Sequence, residues 1–266
     1  MGGPSPREAA PPAVGGAGSS VQMGYGGTHS VDDAQLMPPG VVEPARAFVQ
    51  ESRVLSGALC RVVEMSLGVP PEELRALVDV DGGGIRIAHY PALDDTSSAA
   101  AARGAQRYGA HVDSGGVTVL SLDTSNPGGL QVDLSHAGID ADEACRDWAD
   151  VPHVEGALVC NVGALLCRWT RGKWRASVHR VLTGDASRQR ISLVTSAVAP
   201  RADAPPTAGF SSCIGGAVGE EAEVVIASDF LRRRVALHRS EYADERGLTT
   251  TSALQEESAR VKALKV

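Results

Sequence analysis

Two histidines and an aspartate are the residues best suited to hold a metal ion: His111 and Asp113, flanking Val112, and His179, which follows Asp113 by 66 positions. In a strand, side chains two residues apart share a face, so one imidazole and one carboxylate can reach a common point. His179 lies in the strand-like run Ala176-Ser177-Val178-His179-Arg180-Val181 and offers a third ligand. Two imidazoles and a carboxylate on one face of an octahedral ion leave three adjacent positions open. That is the pattern of non-haem Fe(II) sites, where a chelating acid and O₂ bind together. Alone, His-x-Asp is a weak signal, because loop polarity supplies the same pair. His153-Val154-Glu155 has the same spacing, but it lies between Pro152 and Gly156 in what reads as a turn, with Glu155 only 24 positions before His179. The longer interval leaves room for the strands that bring the chain back to one end of a barrel, so His153 is given a structural or surface role.

Eleven positions after His179 comes Arg190-Ile191-Ser192. Arg190 and Ser192 share a strand face, and a guanidinium grips a carboxylate bidentately while a hydroxyl adds a further bond. Such a pair can anchor the far end of a dicarboxylic acid whose other end chelates the metal; an edge-strand arginine in a surface ion pair is the plainer alternative. Arg188 alternates with Arg190 but has no serine two positions on.

Elements must position these groups. Residues 1–40, rich in Gly, Pro, Ala and Ser without periodicity, are expected to be a disordered leader. A helix is expected from about Glu43-Pro44, with Ala45, Phe48, Leu55, Leu59 and Val62 as its apolar positions and Gly68 and Pro70 ending it. A short helix follows over Pro71–Val78, opened by a proline suited to the first turn. Strands are expected at Ile85–Tyr90, Val117–Leu122, Leu130–Val132, Ala157–Asn161, Ala164–Arg168, Ser177–Leu182 and Ile191–Val198. Their spacing and the turn residues between them predict an antiparallel sandwich or barrel. Thr96–Gly104 and Ser135–Asp147 read as insertions, and Ser228-Asp229 as the cap of a late helix carrying Phe230, Leu231, Val235 and Leu237.

Composition narrows the class. The 266 residues suffice for one substantial domain with appendages. A net charge of −7 gives no electrostatic reason to expect nucleic acid. No run approaches a membrane span. Five cysteines without a C-x-x-C pair read as reduced thiols, and no apolar signal core is evident, which favours the cytoplasm.

In order, the motifs are Arg86-Ile87-Ala88-His89-Tyr90-Pro91, Gly109-Ala110-His111-Val112-Asp113-Ser114-Gly115, Gly128-Gly129-Leu130-Gln131-Val132, Val151-Pro152, Gly156 to Gly163, Arg168 to Val181, and Arg190-Ile191-Ser192. Over about residues 41–245 the series resembles the isopenicillin N synthase-like branch of the Fe(II)/2-oxoglutarate dioxygenases, which includes plant flavonoid and gibberellin oxidases. The resemblance implies a double-stranded β-helix (jelly roll) flanked by helices, a mainly β domain over 41–250, and a tail over 251–266 that is helical or frayed. It implies iron on His111, Asp113 and His179, and the distal carboxylate of 2-oxoglutarate on Arg190 and Ser192 with help from Tyr90. The implied reaction couples oxidative decarboxylation of 2-oxoglutarate to hydroxylation or desaturation of a small organic substrate by O₂, with ascorbate as a reductant. Partners would be small molecules, without membrane or nucleic acid; the oligomeric state is left open. Three features depart from the family: Ala88 where many plant members carry Asn, Leu193-Val194-Thr195-Ser196 in place of an aromatic-rich strand, and only the leader before the long helix. A family oxidase that does without 2-oxoglutarate, a catalytically idle metal-binding module and a cupin-like structural jelly roll are the alternatives.

Overall fold

In the computed structural model the described residues are 19–22, 40, 42–79, 85–93, 105–135, 137–139, 141–201, 203–213, 224–231 and 234. The Thr96–Gly104 insertion, the 251–266 tail, and Val235 and Leu237 lie outside them.

Helix α1 runs over Val42–Leu67 and α2 over Pro71–Leu77. Gly68 ends α1 in the left-handed region (φ 64°), and Val69 N donates back to Glu64 O at 3.1 Å. That is the glycine-terminated cap in which orphan carbonyls of the last turn are satisfied. The buried stripe of α1 differs from the expected one: Ser52, Ser56, Cys60, Val63 and Leu67 face inward, whereas Val62 is 51% exposed. The serines tolerate burial because each hydroxyl donates to a carbonyl four residues back, Ser52 to Phe48 and Ser56 to Ser52, both at 2.7 Å.

Among the described residues there are eleven strands: β1 Ser19–Gln22, β2 Val78–Asp79, β3 Ile85–Tyr90, β4 Gln106–His111, β5 Val117–Leu122, β6 Leu130–Asp133, β7 Trp148–Asp150, β8 Val159–Val162, β9 His179–Leu182, β10 Arg190–Ser196 and β11 Ala199–Pro200. All pair antiparallel, in one sheet of order β1-β3-β10-β5-β8, another of order β4-β9-β6-β7, and the small pair β11-β2. The two larger sheets form the jelly roll.

Four local expectations are corrected. Ala164–Arg168, read as a strand, is the start of helix α3 (Ala164–Trp169); a short apolar run has no periodicity to separate the two, and here Leu165, Leu166 and Trp169 bury together. Gln106–His111 is a strand although it lacks apolar alternation, since only tertiary pairing with β9 organises it. Ser19–Gln22, within the stretch read as a disordered leader, pairs as an edge strand with β3; composition carries no information on such backbone pairing. Ser228 and Asp229 sit inside the late helix, because Phe230 N already donates to Ile226 O at 3.0 Å.

The larger apolar core lies on the helical side, where Val63 and Leu67 of α1, Leu74 and Leu77 of α2, and Leu165 and Trp169 of α3 pack with Phe210 and Phe230. A smaller cluster of Ala88, Tyr90, Leu130 and Val181 lines the jelly-roll interior. The helices carry the dry packing, which leaves the space between the sheets for a site.

Candidate metal centre and its pocket

His111 ends β4 and His179 begins β9, and the two residues are paired across the ladder. Register irregularities on both sides of Tyr108 re-aim the end of β4, as bulges do near functional sites. The imidazole centroids are 4.2 Å apart, and the Tyr108 ring meets His111 edge-on at 4.6 Å. Each Nδ1 lies against a carbonyl two residues back, His111 to Gly109 O at 2.9 Å and His179 to Ser177 O at 3.0 Å. With Nδ1–H donating there, Nε2 is the nitrogen that carries the lone pair a metal would take, the usual means of fixing a ligand tautomer.

Asp113 comes from the irregular stretch just beyond β4, not from the strand itself. Its placement is set by α3: Ala164 N donates to Asp113 O at 2.7 Å and Leu165 N to Gly115 O at 3.0 Å. Gly163 allows this approach, because a Cβ there would strike the Gly115 carbonyl. Asn161 Nδ2 donates to Asp113 Oδ2 at 2.7 Å. Asp113 Oδ1 stands 3.8 Å from His111 Nε2 and 3.9 Å from His179 Nε2. Those gaps are too long for hydrogen bonds, so the oxygen faces both imidazoles across a space suited to a shared cation. One donor atom from each residue lies within 4.8 Å of the others. Burial pushes Asp113 up, but His179, His111 and bonds from Asn161 and Thr118 outweigh it and hold its carboxyl below the usual value. That direction suits a metal ligand, which binds as the carboxylate.

The cluster closes one end of a cavity of about 190 Å³ between the two sheets. Across β3 and β10, Arg190 pairs with Tyr90, Ser192 with Ala88 and Val194 with Arg86, and all six line the cavity. Arg190 is 5% exposed. Its Nη1 donates to Ser192 Oγ at 2.6 Å and its Nε to Gly128 O at 3.1 Å, while Nη2 is buried without a hydrogen-bond partner. Burial lowers the Arg190 guanidinium and raises the Tyr90 phenol, whose ring centroid lies 5.3 Å from the guanidinium carbon. The turn before β6 supports this group twice over. Asn126, buried, donates to the carbonyls of Asp185, Arg188 and Gln189 just ahead of β10, and Gly129 (φ 91°) accepts from Leu182 N at 2.7 Å.

All six expected site residues thus line one cavity. His153 and Glu155 are exposed on the loop before β8, and Arg188 is exposed. Sequence reasoning missed Arg86, Tyr108, Thr118 and Asn161 as lining residues. Strand periodicity counted back from Tyr90 points to Arg86, and counted back from His111 it points near Tyr108, but the bulged register spoils the count there.

The family model for the 2OG-Fe(II) oxygenase superfamily matches residues 83–197. That stretch runs from β3 to β10 and carries His111, Asp113, His179, Arg190 and Ser192. Among curated relatives, validamycin A dioxygenase of Streptomyces hygroscopicus subsp. limoneus is 31% identical over 157 residues, covering 59% of this chain and 40% of that protein. The 2-oxoglutarate-dependent dioxygenase traH of Penicillium crustosum is 27% identical over 154 residues, covering 55% of this chain and 42% of its own. The chain thus spans about two fifths of the length of these relatives. Among solved structures, a full-length Neurospora crassa protein in complex with alpha-KG and 5-formyluracil superposes with a TM-score of 0.63 at 22% identity, covering 82% of this chain and 68% of that one. At that identity the likeness speaks to the superfamily's jelly-roll fold alone.

Proposed function

We propose that the protein is a 2-oxoglutarate-dependent oxygenase acting on a small organic substrate. One observation carries the reading: a His–Asp–His cluster at one end of a cavity whose opposite end holds a buried guanidinium with an unspent donor. 2-Oxoglutarate has a chelating 2-oxo acid at one end and a free carboxylate at the other, so its two ends match these two groups. The donor set fits Fe(II). Bound there, iron supplies the coordination and redox chemistry that couple decarboxylation of 2-oxoglutarate by O₂ to hydroxylation or desaturation of the substrate.

The protein's own groups divide the remaining work. His111 and His179 present Nε2, and Asn161 ties down one Asp113 oxygen so that the other faces the imidazoles. Arg190 and Ser192 clasp the distal carboxylate, with Tyr90 packed against the guanidinium. Aliphatic walls from Leu120, Leu130, Val132 and Val181 exclude water from the reacting carbon. Ascorbate from solution would serve as reductant. The unspent Arg190 donor favours 2-oxoglutarate use over the oxidases that dispense with it. Residues 41–250 are taken as one domain. Five free thiols agree with a cytoplasmic setting, and the enclosed cavity with a net charge of −7 agrees with small-molecule rather than nucleic-acid partners. No helix among the described residues is long and apolar enough to cross a membrane.

Incubation with Fe(II), ascorbate and 2-oxoglutarate is expected to yield succinate; a protein that forms no succinate and binds no 2-oxoglutarate would sink the reading. Arg190→Ala removes a charged hydrogen-bonded contact and should weaken 2-oxoglutarate binding by about 1.5–3 kcal/mol in anaerobic calorimetry. An unchanged affinity would take Arg190 out of this role. Asn161→Ala leaves Asp113 free to turn, and Fe(II) affinity should fall roughly 10- to 100-fold, as for other groups that orient a metal ligand. Metal titration checks this, and wild-type affinity in the variant would make the Asn161 bond incidental.

A further inference from the structure

The cavity holds a second guanidinium that this function leaves unused. Arg86 lies on the same face of β3 as Ala88 and Tyr90, opposite Val194 of β10. Four residues separate it from the Arg190–Tyr90 pair, about 13 Å along the strand. Its guanidinium carbon sits 5.4 Å from the centroid of Tyr108, which also leans on His111, so Arg86 belongs to the metal end of the pocket. Tyr108 hydrogen-bonds it but carries no charge to balance it. The Arg86 Nε is buried without a hydrogen-bond partner, and the residue forms no ion pair among the described residues. The nearest carboxylate to influence it, Asp113, already faces two imidazoles and accepts from Asn161.

Charge decides what this group is for. On the reading above, a ferrous ion, a doubly charged cosubstrate, Asp113 and Arg190 together cancel. Arg86 then stands as one uncompensated positive charge in a cavity whose walls outside the proposed metal and cosubstrate groups are mainly Leu and Val side chains. A buried charge without a counter-charge is costly, and a carboxylate matches a guanidinium in both charge and geometry. We propose that Arg86 anchors the substrate through an anionic group, so that the substrate is a small, largely aliphatic carboxylic acid. The seven Leu and Val side chains in the wall suit a compact hydrocarbon body beside that acid. This inference rests on the proposed oxygenase function.

The test uses the full chain loaded anaerobically with Fe(II) and 2-oxoglutarate and titrated calorimetrically with matched pairs: pentanoate and pentanamide, hexanoate and hexanamide, cyclohexanecarboxylate and its amide. At least one acid is expected to bind roughly ten-fold or more tightly than its amide, the effect of one charged hydrogen-bonded contact. Arg86→Gln should erase that preference while 2-oxoglutarate affinity stays within about two-fold of wild type, since its anchor is Arg190. Arg86→Met, close in volume and uncharged, should do the same and stands in if the glutamine variant fails to fold. Arg86→Lys should restore part of the preference, because charge returns without the planar fork. No acid preference in the wild type, or a preference that survives both uncharged variants, overturns the inference. A loss of 2-oxoglutarate binding in Arg86→Gln as large as that in Arg190→Ala also overturns it, by assigning Arg86 to the cosubstrate. Failure of the wild type to bind 2-oxoglutarate overturns the oxygenase reading and this inference with it.

Discussion

Replacing His179 with alanine should reduce succinate formation to background and abolish tight Fe(II) binding. Two donors remain in that variant, and an octahedral ion held by two protein groups is easily lost to water and buffer. The fold should persist. The described hydrogen bond of the His179 ring is to Ser177 O, and the ring faces the cavity and belongs to neither apolar core cluster, so the main packing is kept. Thermal melting without added metal should therefore stay close to wild type while the stabilisation by Fe(II) disappears, because a ligand stabilises only what it binds. His111→Ala should behave alike, with a somewhat lower melting point from the lost Tyr108 contact. Full turnover in both variants would remove the triad from the chemistry.

The largest effect on stability is expected away from the pocket, at Asp133. The Ser135–Asp147 segment, read as an insertion from the sequence, is built around a buried ion pair: Arg146 Nη1 to Asp133 Oδ2 at 2.8 Å, with side chains 3% and 1% exposed. The other Arg146 nitrogen donates to the carbonyls of Gly138, Ile139 and Ala141, and Asp133 Oδ1 accepts from Ser135 N and Asp147 N. Asp133→Ala strands a buried guanidinium, which typically costs about 3–5 kcal/mol. In a chain of this size that lowers the melting temperature by roughly 6–20 °C. Adding Arg146→Met should recover part of the loss, since an apolar pair can replace a buried ion pair. Burial pushes Asp133 up, but bonds from Asp147, Ser135 and Arg146 prevail and hold it well below the ordinary carboxylate range. The stabilisation is thus complete above the unfolded-state value near pH 4 and is lost as the pH falls towards the folded-state value. Denaturant titrations at neutral and acid pH should show wild type and Asp133→Ala converging below about pH 4. A constant difference across that range would show that the charge is not the source.

The convergence of His111, Asp113 and His179 on one cavity with Arg190 and Ser192 was legible because it depends on residue type and on spacings of two, both visible in one dimension. The jelly roll was legible from strands with apolar alternation, such as Val117–Leu122. What escaped depends on partners distant in sequence. Gln106–His111 is a strand through β9, Ala164–Trp169 a helix through its burial, and Ser52 and Ser56 are core residues because the helix itself supplies their acceptors. Asn161 stood inside a family-like motif, yet its bond to Asp113 spans 48 positions and leaves no local trace.

The turn at Gly128-Gly129 bears on how cosubstrate grip could diverge among relatives. Gly128 O accepts from Arg190, while at Gly129 a methyl group would strike the Leu182 carbonyl, where β6 seats against β9. The same two residues therefore set Arg190, the proposed carboxylate clasp, and zip together the sheet that carries His179. A substitution that loosens one loosens the other, so, on the proposed function, selection acting on 2-oxoglutarate affinity through this turn would also move a proposed metal ligand. Independent tuning has to come from Tyr90 or Ser192, side chains that touch Arg190 without holding strands together.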